Sequence, residues 1–192
     1  MSLSAFQSAL VRMVSDATWR EDVRTGGSLA AFDLSERETR RLRAAAGDPG
    51  LAVTATLVRS FRLGKVLNLL PMTRTLLGDA RLGQEVRCFW AVQPPRTFYA
   101  LDEAIAFAEY LMKRNWASPF ALEVVTFERA LLELRRARPA GEGVPAQEIS
   151  FCHDPRDVLG PLSKGQRPGK RARVRSCVVR ASLDERGQVA WS

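Results

Sequence analysis

The chain is poor in the side chains that carry most metal and nucleophilic chemistry. It has one histidine, His153, and three cysteines, Cys88, Cys152 and Cys177, in 192 residues. Zinc sites, non-haem iron sites and nucleophilic triads draw on two or more histidines or on clustered cysteines. A free-standing metal or nucleophilic enzyme is therefore not expected, nor is a cofactor held by this chain. The cysteines are odd in number and unpaired in spacing, which argues against a disulfide framework and for a reducing compartment. They read as small buried apolar residues. No run of 18 apolar residues occurs, so no membrane span is expected. Met1-Ser2-Leu3-Ser4-Ala5-Phe6-Gln7 lacks a basic region leading into an apolar core, so it does not read as a secretory signal. The expected location is the cytoplasm.

Acidic residues are missing from one stretch. The chain carries 29 Lys and Arg against 21 Asp and Glu, a net charge of +8. Between Asp157 and Asp184 there is no acid, while Lys164, Arg167, Lys170, Arg171, Arg173, Arg175 and Arg180 supply seven positive charges. Nearly the whole excess lies there. Such a cluster suits an anionic partner, either nucleic acid or an acidic peptide added to a sheet edge. Bound single strands usually stack on aromatics, and beyond Phe151 only Trp191 is aromatic. Nucleic acid is the less favoured partner, and a DNA-binding regulator is the alternative reading.

The first two-thirds reads as helices. Ala5, Phe6, Ala9, Leu10, Met13 and Val14 recur at helical spacing. Ser15 or Asp16 is placed to cap a short turn carrying Trp19 and Val23, stopped by Gly26-Gly27. Ser35 with Glu38 forms a capping box for a helix ending near Gly47. A long apolar helix is expected over 51–70, with Leu57, Phe61, Val66, Leu67 and Leu70 in the core, and Pro71 closing it. Short helices are expected over 73–77 and 82–92, then an extended link at Pro94-Pro95. Leu101–Arg114 reads as amphipathic, with Ile105, Ala108, Leu111 and Met112 inward. Ser118-Pro119 reads as a cap followed by proline at the first helical position. That last helix carries Leu122, Val125, Phe127, Leu131 and Leu134. Trp90, Phe98, Tyr99 and Phe107 are expected in the core. Glu123 and Glu128 are five residues apart, on different helix faces, and make no carboxylate pair for acid–base work. His153, before the turn signal Asp154-Pro155, reads as a surface or capping residue. Gly64-Lys65 lacks the spaced glycines of a phosphate loop.

At Arg138 the composition changes. Pro139-Ala140-Gly141-Glu142-Gly143-Val144-Pro145 reads as a linker, and beyond it the apolar period falls to two. Ile149 and Phe151 mark one strand, Arg173–Leu183 a second and Val189 with Trp191 a third, the last two joined as a hairpin at Asp184-Glu185-Arg186-Gly187. Gly160–Lys170 reads as a mobile loop, with a helical turn at Pro155–Leu159. The expected architecture is α+β: an N-terminal multi-helix domain over 1–138, a linker over 139–146, and a small antiparallel three-stranded β-domain over 147–192. Sheet edges must be paired, covered or charged. Arg173, Arg175 and Arg180 would guard one and equally suit an acidic strand arriving there.

The helical part resembles a known family. The residues that carry the resemblance are Leu69-Leu70-Pro71-Met72-Thr73-Arg74-Thr75-Leu76-Leu77-Gly78, Phe89-Trp90, Pro94-Pro95-Arg96, Phe98-Tyr99, Leu101-Asp102-Glu103-Ala104 and Thr126-Phe127-Glu128. They look like the partner subunits of multinuclear non-haem iron oxidative enzymes, the methanobactin biosynthesis protein C family above all. The likeness covers roughly residues 3–138, and the β-tail in layout. It implies a heterodimer with an iron-dependent barrel enzyme, the metals lying in that partner. It also implies that the C-terminal sheet pairs with the leader of a ribosomally made precursor whose cysteine the complex oxidises to an oxazolone and thioamide. The residues expected to hold the peptide are Arg171, Arg173, Arg175, Val178, Arg180, Val189 and Trp191.

Overall fold

The computed structural model describes residues 3–93, 99–137, 146–169, 172–183 and 189–191. The chain forms two compact units, Met1–Leu63 and Gly64–Ser192. The expected boundary near residue 138 falls inside the second unit, where helices and sheet share one core.

In the first unit α1 (Leu3–Ser15), α2 (Ala17–Arg24) and α3 (Glu36–Ala46) pack against one another. Ala9, Met13, Val23, Leu29, Leu42 and Ala46 form the core, with Trp19 and Phe32 tilted together at 5.6 Å. The capping signals act as the sequence indicates. Asp16 accepts a hydrogen bond from the Trp19 amide at 2.9 Å. Ser35 and Glu38 cap each other's backbone reciprocally at the start of α3, satisfying amides that the first helical turn leaves open.

Helix α4 (Pro49–Leu69) departs from expectation in its packing. Val66, Leu67 and Leu70 are buried, but Leu57 and Phe61 are each 65% exposed. Apolar residues surround this helix, so spacing alone does not say which stripe is covered. Tyr99 and Leu122, also assigned to the core, are exposed as well. Phe98 and Pro94-Pro95 lie outside the described residues.

In the second unit α5 (Pro71–Leu77) and α6 (Asp79–Val92) meet at Gly78, whose φ of 84° favours glycine. Arg74 straps the corner, its Nε and Nη2 on the two Asp79 oxygens at 2.6 and 2.8 Å. Helices α7 (Ala100–Met112) and α8 (Ala121–Arg136) pack side by side. Helix α8 starts two residues later than expected, because Ser118-Pro119 forms a turn in which Ser118 accepts the Ala121 amide through its backbone carbonyl.

The α+β expectation holds, with helix predominating. The three-stranded sheet does not hold in its finer form. Two long antiparallel strands, β1 (Ala146–His153) and β2 (Val174–Leu183), make the sheet. The third is only β3 (Val189–Trp191), paired to the last three residues of β2. Helix α9 (Pro155–Ser163) takes up part of the expected loop. Ile149, Phe151, Val179 and Ala181 turn inward onto α8, where Phe127 meets Phe151 edge to face at 6.1 Å. The linker over 139–145 and the turn over 184–187 lie outside the described residues.

These burial differences set a contrast in stability. Leu70→Ala empties a fully buried site and is expected to cost about 2–5 kcal/mol. Leu57→Ser, on the exposed stripe, is expected to change stability by about 0.5 kcal/mol or less. Urea unfolding of both variants checks the assignment.

Candidate functional site

The sheet is held to α8 by a carboxylate as well as by apolar contact. Glu123, buried on α8, accepts the Cys152 amide at 2.9 Å, and its Oε1 lies 3.0 Å from His153 Nδ1. The His153 ring meets Phe120 edge-on at 4.9 Å. His153 is thus a packing residue tied to a helix. Asp154 follows it and caps α9 by accepting the Arg156 amide at 3.0 Å.

Arg173 is exposed but engaged within the chain. Its Nε and Nη2 reach the Asp157 carboxylate at 3.0 and 3.3 Å, and Nη2 also lies 3.1 Å from Asp154. Its backbone amide donates to Asp157 too, at 3.2 Å. The hydrogen-bonded guanidinium holds the Asp157 carboxyl below the usual carboxylate range. This residue fastens the start of β2 to α9. Arg175 is exposed and only grazes Asp154, at 4.0 Å. Arg167 reaches away from the sheet, donating to the Thr75 carbonyl at 3.2 Å.

The edge of β2 is the open feature. Among the described residues β3 pairs only with Ala181, Ser182 and Leu183, so Val174–Arg180 has no strand on that side. Val174 and Val178 there are 84% and 59% exposed, and Arg180 is exposed. The expected peptide-binding residues Arg175, Val178 and Arg180 fall together on this run. Arg171 lies outside the described residues, as do the side chains of Val189 and Trp191.

The residue missed from the sequence is Glu128. It is buried on α8, and its two oxygens accept the Met72 and Thr73 amides at 2.6 and 2.8 Å. It therefore caps α5 from another helix and joins two of the segments that carry the family resemblance. The available signal was its neighbourhood: Val124, Val125, Leu131 and Leu132 surround it at helical spacing, which places a carboxylate in the middle of an apolar stripe. A cleft of about 290 Å³ opens beside it, with Met72, Phe127, Leu131 and Arg135 on its walls. Both Glu128 oxygens are occupied by amides, so the cleft offers no carboxylate poised for proton transfer. Among the described residues no group of three His, Cys, Asp or Glu is placed to hold a metal ion. No helix among them is long and apolar enough to cross a membrane.

Set against family models, curated proteins and solved structures, the chain matches none.

Burial raises the Glu128 carboxyl to about 7 from 4.5, although the Thr73 and Met72 amides pull the other way. A group whose pKa is higher in the folded state stabilises fully below its unfolded pKa and loses that contribution as pH rises through the folded one. The shift corresponds to about 3 kcal/mol. Relative to Glu128→Gln, which cannot ionise, the native chain is expected to lose about that much between pH 4 and pH 8.5. Urea unfolding across this range measures it; a constant gap would show that the carboxyl titrates normally.

Proposed function

We propose that this chain is a non-catalytic subunit that receives an extended peptide along the open edge of β2 and presents it to a separate enzyme. The observation that carries the reading is the run Val174–Arg180, which has no strand on its outer side among the described residues, with Arg175 and Arg180 exposed on it. Backbone hydrogen bonds to such an edge supply affinity with little demand on sequence. The flanking arginines favour an acidic strand and speed its encounter by long-range attraction. Holding one end of a peptide raises the effective concentration of the rest at a neighbouring active site. The motif resemblance supplies the identity of the partners. The peptide is the leader of a ribosomally made precursor. The enzyme is an iron-dependent barrel that oxidises a cysteine of it, in a cytoplasmic heterodimer. The metals belong to that enzyme, and this chain contributes binding and orientation.

Co-expression with a His-rich iron-dependent barrel protein, if the neighbouring gene encodes one, followed by size-exclusion chromatography, tests the heterodimer. One co-eluting peak is expected; separate elution would refute the partnership. In a titration with an acidic leader peptide, Arg175→Glu combined with Arg180→Glu is expected to lower affinity at least tenfold with an unchanged urea midpoint. Arg173 is left intact in that variant because it secures α9. Binding of duplex DNA at low salt, weakening steeply with added salt, would instead favour the regulator reading.

A further inference from the structure

We propose that the cleft beside Glu128 binds a small amphipathic carboxylate, with its apolar body between the start of α5 and α8 and its charged head at Arg135. None of the cleft's residues lies on β2, so this site and the strand edge stand or fall separately.

The cleft is framed by the way α5 is capped. Pro71 at the start of that helix has no amide hydrogen to donate, and Glu128 takes up the next two amides, those of Met72 and Thr73. The first turn of α5 is thereby tied to α8. Beside this tie Leu69 and Met72 on one side and Phe127 and Leu131 on the other bound a space of about 290 Å³. Leu69, Met72 and Leu131 are only half-buried, so an apolar group seated there removes further apolar surface from water. An apolar cavity of about 150 Å³ holds one benzene ring, so a space near twice that size takes a body of roughly eight to ten carbon atoms. Apolar walls with a few convergent polar groups are the usual make-up of a small-molecule site.

The charge of the ligand follows from the mouth. Arg135 lies there, seven positions beyond Glu128 on the same helix, and is exposed. Its neighbours Arg129 and Arg136 are paired with Glu133 and Asp102, whereas Arg135 makes no ion pair among the described residues. A carboxylate can meet a guanidinium through two parallel N–H donors. A ligand amine would meet like charge, and an uncharged ligand would leave the guanidinium unused. The same cation acts on the carboxyl below. The groups facing Glu128 are the Thr73 hydroxyl with the Thr73 and Met72 amides from α5, and Arg135 from its own helix; all favour ionisation against the burial that opposes it. An anion seated at Arg135 offsets that positive charge and draws a proton onto Glu128. The ligand therefore binds the protonated form more tightly, and its affinity falls as pH rises through about 7.

Octanoate is the probe, and the chain's four methionines supply the reporter. With the methionine methyl carbons labelled, the Met72 signal, assigned by its loss in Met72→Leu, is expected to shift to saturation as octanoate is added to the full chain. The signal of Met13, buried in the first unit, is expected to stay. Octanol, with the same tail and no charge, is expected to bind about tenfold more weakly. Arg135→Gln is expected to bring octanoate down to the affinity of octanol with an unchanged urea midpoint. Between about pH 6 and pH 8.5, where octanoate stays ionised, the native affinity is expected to fall about threefold. A Met72 signal unmoved by octanoate would make the cleft a packing gap or a contact for another chain, and the proposal would be wrong. Joint movement of Met72 and Met13, as in detergent-like binding, overturns it too. Equal affinity for octanol, full binding by Arg135→Gln or a flat pH profile removes the carboxylate from Arg135 and has the same consequence.

Discussion

Two buried carboxylates on one helix hold the second unit in its arrangement. Glu123 and Glu128 leave α8 on different faces, one reaching the Cys152 amide at the end of β1, the other the Met72 and Thr73 amides at the start of α5. Burying a charge is costly unless its hydrogen bonds are made. Each carboxylate therefore ties down the element it caps, Glu128 through both oxygens and Glu123 through Oε1. Apolar contact between α8 and the sheet is broad and tolerant of small shifts. The carboxylates supply the register that apolar packing leaves loose.

From that register follows the division of labour within the basic stretch. Strand alternation sends successive residues to opposite faces, so arginines that look alike in sequence meet different surroundings. Arg173 turns to Asp154 and Asp157 and fastens β2 to α9. Arg180 faces outward beside an unpaired edge. The charge cluster thus contains both a cation paired to neighbouring carboxylates and one that faces outward on the sheet. Surface ion pairs such as that of Arg173 add little to stability; its consequence lies in where the strand begins.

Elements whose start depends on neighbouring backbone alone were legible in the chain. The Asp16 cap, the Ser35–Glu38 box and the proline opening α5 all appear at the residues that announce them. The apolar period of two across Ile149 and Phe151 correctly gives a half-buried strand. Where a choice depends on what lies across from a side chain, residue type misleads. Leu57, Phe61, Tyr99 and Leu122 are large, apolar and exposed, and Ser118 yields its place to a turn. The short β3 belongs to the same class, because the length of a strand depends on how far its partner runs beside it.

The candidate site divides along the same line. The concentration of cations after Asp157, the scarcity of histidine and the strand-like alternation are properties of composition and spacing, and were legible in the chain. Which strand edge is open, which arginine is tied down and why Glu128 is buried are decided by tertiary contact. A hydrogen bond between residues 55 or 56 positions apart leaves no local trace in either segment. The Cys152 amide likewise finds its acceptor in a carboxylate 29 residues away. Local propensity is set by each residue and its near neighbours. Edge, partner and burial are set by groups that only folding brings together.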